Sequence, residues 1–155
     1  MWSFGCILAE LYTGYPLFPG ENEVEQLACV MEVFGVPPPS LVELSNRKNM
    51  FFDSAGDPRI TANSRGKKRR PSTKELSAAL NCQDQGFISF LTGTMKWDPR
   101  ERFTPEMAIQ HEWILEGLQG HHPPRSSRNG AGGGRSGQAA PGEKGMLPAI
   151  KGKAG

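Results

Sequence analysis

Chemistry in a protein needs particular side chains at particular spacings, and this chain of 155 residues offers few candidates. Its three cysteines, Cys6, Cys29 and Cys82, share neither metal-ligand nor redox spacing, and an odd, scattered set reads as reduced core thiols of the cytosol or nucleus. His121 and His122 stand beside Pro123, and two adjacent histidines alone do not make a metal site. Gly132-x-Gly134-x-x-Gly137 matches a dinucleotide fingerprint in letters only, because no strand precedes it and no helix follows. The strongest charge pattern is Arg65-Gly66-Lys67-Lys68-Arg69-Arg70, five bases in six residues ahead of Pro71. Two readings stand for it: a solvated loop tip, or a patch at Lys67, Lys68, Arg69 and Arg70 for nuclear import or an acidic partner. Ser72, behind Arg69 and Arg70, has the setting of a phosphorylation site, in a string common by chance.

The elements that must position these residues are helical. Trp2 to Thr13 is apolar nearly all round, leaving only Ser3 and Glu10 strongly polar, which is the pattern of a helix inside a core. At roughly 18 Å it is too short to cross a bilayer of about 30 Å. With no upstream sequence to cover it, it reads as part of a fragment. Gly14 suits its end, and Pro16 and Pro19 prevent its resumption. A second helix is predicted over roughly Glu21 to Phe34, with a stripe of Val24, Leu27, Ala28, Met31 and Phe34 and with Glu21, Glu23 and Glu25 at its start. Ser40 is expected to cap a short helix through Leu44, Met50-Phe51-Phe52 is a small apolar cluster, and Gly56-Asp57-Pro58 is a turn. A third helix is predicted from about Asp84 to Lys96, on a face of Phe87, Phe90, Leu91, Thr94 and Met95. Thr104-Pro105-Glu106 starts a fourth that carries Met107, Ala108 and Ile109 to His111, and Trp113-Ile114-Leu115 closes the folded part. Four helices and no credible sheet make the fold class mainly α.

Charge divides the chain in two. Residues 1–116 carry 12 Lys/Arg against 15 Asp/Glu, a net of −3. Residues 117–155 carry six bases and one acid, a net of +5, with 11 Gly and 4 Pro among 39 residues. That Gly-rich, basic stretch cannot bury enough apolar surface to offset its ordering entropy and is expected to be a disordered, solvated tail rather than a nucleic-acid arm. A basic nucleic-acid-binding protein is disfavoured for the whole chain, because aromatics are not interleaved with the bases and the folded body is acidic.

Three stretches carry a resemblance: W-S-x-G-C-I-x-A-E-L from Trp2, G-x-P-L-F-P-G from Gly14, and W-D-P-x-x-R-x-T-P-x-x-A-x-x-H-x-W-I from Trp97. Together they resemble the C-terminal lobe of eukaryotic protein kinases, and the predicted helices match those the family letters F, G, H and I, joined by an irregular insert. The runs LYTGYPLFPGENE from Leu11, QLAC from Gln26 and RGKKR from Arg65 are similar to the dual-specificity tyrosine-phosphorylation-regulated kinases (DYRK family), class II branch. The resemblance covers residues 1–116, a truncated kinase domain, ahead of the tail at 117–155.

The resemblance implies ATP-dependent phosphorylation of Ser/Thr substrates, and of an activation-loop tyrosine, by a full-length parent that binds ATP and magnesium. The motifs that do this are a glycine-rich loop, a strand lysine, H-R-D and D-F-G, and none occurs here. The chain alone is therefore expected to bind no cofactor, to have no catalytic residue and to be inactive. The alternative is a non-catalytic interaction module, from a truncated isoform or a partial gene model, meeting protein substrates or docking partners through the second helix. By the same resemblance Trp2, Gly5, Trp97, Asp98 and Arg102 are structural residues of the lobe. Glu10 either faces a basic residue of a substrate or merely satisfies backbone or solvent. Arg102 lacks the family's glutamate partner and is expected to swing into solvent or find another acid, while Trp97 and Trp113 are core aromatics and Asp98 braces a turn. The location implied is cytoplasmic or nuclear, with no membrane attachment. A first helix stripped of its surroundings leaves the isolated chain marginally stable.

Overall fold

The computed structural model describes residues 1–120, and the expectations for His121, His122 and the rest of the tail lie outside them. Among the described residues the protein is mainly helical, with two isolated antiparallel bridges, Phe52 with Pro58 and Ala62 with Lys68, in place of a sheet. The helices are α1 (Trp2–Thr13), α2 (Glu23–Phe34), α3 (Pro39–Glu43), α4 (Lys48–Phe51), α5 (Leu76–Leu80), α6 (Gln85–Thr94), α7 (Pro105–Ile109) and α8 (Glu112–Leu118). No described helix is long and apolar enough to cross a membrane.

The core lies where α1, α2, α5 and α6 meet. Phe87, Phe90, Leu91, Thr94 and Met95 of the α6 region are all buried, as their helical spacing predicts. Cys29 and Val30 of α2, Leu76 and Leu80 of α5, and Cys82 complete this cluster with Ala9 and Phe18. A satellite cluster of Met31, Val42 and Phe52 sits under the segment between α3 and α5. The Met50-Phe51-Phe52 signal thus anchors a long connection.

Helix α1 is the largest departure from its sequence pattern. It packs mainly against α5 and α6, so Gly5 and Ala9 are buried while Ile7 is 56% and Leu11 77% exposed. Its apolar pattern has more faces than the described chain covers. Between α1, α6, α7 and α8 an apolar groove of about 350 Å³ opens, lined by Phe4, Phe90, Ala108, Ile109 and Ile114 among others.

The remaining differences have local causes. The second helix begins two residues later than predicted, because Asn22 takes the capping position and its side chain accepts the N–H of Glu25. Glu21 therefore lies ahead of the helix. The short third helix is led by Pro39 in its first turn rather than capped by Ser40. The predicted fourth helix stops at Ile109, short of His111, and the closing Trp113-Ile114-Leu115 stretch is a further helix, because the His111 Nδ1 accepts the N–H of Trp113 and starts α8, which runs two residues past Glu116. Helices α4 and α5, of four and five residues, are too short to show a period in sequence.

Candidate functional site

The five residues singled out for the lobe motif converge on one junction. The Trp2 ring lies 5.5 Å from that of Trp97 and 6.0 Å from that of Phe34, so α1 is tied to the end of α2 and to the turn after α6. The Trp97 Nε1–H donates to the Phe34 carbonyl at 3.3 Å, satisfying one of the last acceptors of α2. Gly5 lets α1 approach α6 closely, since a Cβ there would overlap the Thr94 hydroxyl. Arg102 takes neither course expected of it. Its Nε donates to the Lys96 carbonyl at 2.9 Å, an Nη donates to the Trp97 carbonyl at 3.1 Å, and its guanidinium stacks 5.3 Å from the Trp2 ring. Backbone acceptors and a π-face offset the missing carboxylate without any new acid.

Asp98 braces the same turn. Its carboxylate accepts the backbone N–H of Arg100 at 2.8 Å and its side chain at 2.7 Å, and its carbonyl accepts from Glu101 and Arg102. The Arg100 side chain first, then its backbone N–H, hold the Asp98 carboxyl down to about 2. A group depressed in the fold contributes stability above its unfolded value near 3.9, and that contribution disappears as pH falls towards 2. NMR titration of the Asp98 carboxyl is expected to give a midpoint near 2 and, in Arg100→Ala, a midpoint raised towards the ordinary aspartate range, the backbone N–H of residue 100 still lowering it. An ordinary midpoint in the unmodified chain would refute the bracing geometry.

The other sites are less constrained. Glu10 is exposed on α1, and among the described residues its carboxylate has no hydrogen bond or ion pair. Trp113 is half-buried, stacks on Phe87 and Phe90, and donates its Nε1–H to Asp84 at 3.2 Å. Ser89 and His111 are 3.3 Å apart, but with Nδ1 accepting from Trp113 the neutral ring keeps its proton on Nε2 and donates it to the serine, so the hydroxyl is not activated. The Cys29 and Cys6 thiols are pushed up by burial, which keeps them protonated and unreactive.

The basic run also departs from its sequence reading. Asn63 to Lys74 folds back over α2 and is no freely solvated tip. Side chains alternate along extended backbone, and here Lys67 and Arg69 reach α2 while Lys68 and Arg70 are exposed. The Arg69 Nη1 meets Glu32 at 2.6 Å and its Nε meets Glu25 at 3.5 Å, with side chains only 13%, 10% and 5% exposed. Lys67 reaches Glu32 at 3.4 Å, and the Asn63 amide donates to Glu25 at 2.9 Å. The Glu21 N–H holds the Glu25 carboxyl below the usual range against the cost of burial, with Asn63 and Arg69 adding to it. The segment also finishes the helix: the Ser72 N–H donates to Met31, and those of Thr73 and Lys74 to Glu32.

The clamp and the two apolar clusters together cover most of the second helix, through which docking of partners was expected. Glu25, Ala28, Cys29, Val30, Met31 and Glu32 are buried, leaving Glu23 and Gln26 as its exposed positions. The signal was present in the sequence: Glu25 and Glu32, seven apart, share one helical face flanking the apolar stripe. Two carboxylates on a single face called for cations, and the run at residues 65–70 supplies them.

Residues 1–114 match the protein kinase domain family, and the chain belongs to that family. Within it the chain is a DYRK-family sequence of the C-terminal lobe. It is 53% identical over 137 residues to dual specificity tyrosine-phosphorylation-regulated kinase 2 of Drosophila melanogaster, covering 88% of this chain and 19% of that protein. It is 55% identical over 114 residues both to the DYRK-family kinase pom1 of Schizosaccharomyces pombe and to dual specificity tyrosine-phosphorylation-regulated kinase 4 of Homo sapiens. Each of these covers 74% of this chain, and the chain spans 10% and 22% of their respective lengths.

Proposed function

We propose that the chain supplies the helical platform of a dual-specificity protein kinase and by itself transfers no phosphate. The observation that supports this is the junction at Trp2, Gly5, Trp97, Asp98 and Arg102. It is assembled here without the glycine-rich loop, strand lysine, H-R-D and D-F-G motifs that phosphoryl transfer requires. ATP and magnesium would be held by those motifs in a full-length parent acting on serine, threonine and tyrosine. Glu10, exposed and unpaired among the described residues, is suited to face a basic residue of such a substrate.

The expected result is no incorporation of radiolabelled phosphate from ATP by the purified chain, and no thermal shift with ATP and magnesium. Transfer by a sample free of contaminating kinase would overturn the reading. A second reading, a non-catalytic interaction module, is favoured by the uncovered apolar face of α1. Under either reading the chain resides in the cytoplasm or nucleus. Import through residues 67–70 would use the two exposed members, since Arg69 is engaged by Glu25 and Glu32.

A further inference from the structure

The alternation of the basic run leaves more positive charge than α2 consumes. Beside the clamp lies a cavity of about 270 Å³ lined by Tyr15, Leu17, Pro19, Glu32, Lys67 and Lys74, with Arg69 on its wall. Three cations face it and one carboxylate, Glu32, is shared between Arg69 and Lys67. Lys67 is half-exposed on a long 3.4 Å contact, and Lys74 has no ion pair among the described residues. Lys68 and Arg70 add unpaired, exposed charge on the outer face of the same segment.

We propose that this cavity is a docking site for an Asp- and Glu-rich segment of a partner protein. One carboxylate would enter between Lys67 and Lys74, with Lys68 and Arg70 attracting the approach from outside. The proposal rests on the chain being a protein-interaction platform and names the chemistry of the partner. Charge complementarity identifies the occupant as anionic. Depth and lining choose peptide over nucleic acid. Tyr15, Leu17 and Pro19 offer apolar contact for side chains, whereas a nucleic acid needs an extended basic track, and the surrounding body carries a net charge of −3. Lys67 gives up little in turning to the ligand, because Arg69 keeps Glu32 neutralised.

The test is fluorescence anisotropy of a fluorescein-labelled Asp/Glu-rich peptide with the full chain and its variants. Saturable binding is expected. It should weaken about tenfold in Lys67→Gln/Lys74→Gln, and also in Tyr15→Ala, which changes the cavity without changing charge. Lys68→Gln/Arg70→Gln should cost only a few-fold and should flatten the salt dependence. All these side chains are exposed, so unchanged thermal unfolding checks that each variant folds. Absent saturation, or equal losses in the two double variants with none in Tyr15→Ala, would overturn the site in favour of a diffuse field. Tighter binding of single-stranded DNA than of peptide would overturn it in favour of nucleic acid. Kinase activity is not read in this experiment, so its failure leaves the catalytic reading to its own assay.

Discussion

Arg69→Leu is expected to remove about 3 kcal/mol of stability, enough to unfold much of a marginally stable chain. The change keeps the volume of the stem but leaves the Glu25 and Glu32 carboxylates facing each other with one long lysine contact and one amide between them. Buried charge without a partner is the costly state. Replacing all three, as Glu25→Gln/Glu32→Gln/Arg69→Leu, should recover much of the loss, because the carboxylates that needed the guanidinium are gone. Lys67→Leu, at a half-exposed position, should cost well under 1 kcal/mol. Urea unfolding followed by circular dichroism separates these variants. Equal midpoints for Arg69→Leu and Lys67→Leu would mean the clamp contributes nothing beyond a surface pair. Acid should act on the same contact. The depressed Glu25 carboxyl contributes stability above the ordinary glutamate value near 4.3, and loses it as pH falls through its lower folded value.

The second large effect contrasts two helical glycines. Exchanging glycine for alanine within a helix ordinarily gains about 1 kcal/mol. At Gly117 in α8 an alanine methyl would meet no atom within 4 Å, and Gly117→Ala should raise the melting temperature by several degrees. Gly93 in α6 is buried, and an alanine Cβ there would overlap the Cε2 and Cζ atoms of Phe103. The ring cannot simply retreat. Its backbone N–H is bonded to the Gly93 carbonyl at 2.9 Å, and its face packs against Phe90 and His111. Gly93→Ala should therefore cost about 2 kcal/mol despite the propensity gain, and melt at a clearly lower temperature. Differential scanning calorimetry decides it. Two stabilised variants would show that the α6–Phe103 contact is loose.

How far the sequence foretold this structure depended on element length and on partners. Helices α2 and α6 were legible because ten or more residues show a period, α1 because it is apolar nearly all round, and Thr104 declared itself as a cap whose side chain accepts the N–H of Met107. Of the lobe junction, the identities of Trp2, Gly5, Trp97, Asp98 and Arg102 could be read, but not the contacts of Arg102. An arginine's choice between a carboxylate and two carbonyls depends on where the backbone turns, and no local pattern encodes that. The clamp was missed for a similar reason. Its halves lie 37 residues apart in sequence at Glu32 and Arg69, and each half has a plausible solvated interpretation when taken alone. Only their meeting explains why a helix buries two acids.

The bridges on either side of residue 60 have a consequence of their own. Asp53 accepts from the N–H groups of Ala55 and Asp57, donates its own N–H to the Asp57 carbonyl, and receives the Gly56 N–H on its carbonyl. Asn63 repeats every one of these bonds with Arg65, Lys67 and Gly66, and both glycines turn at positive φ, 88° and 75°. The insert is thus a tandem of one loop design whose copies start at positions 53 and 63. Because each copy closes its own ends through an Asx side chain and a bridge, the unit behaves as a self-contained cassette. The first copy is spliced beside the satellite core and the second carries the cations. Each copy closes on its own bonds, so the anchoring of one does not depend on the other.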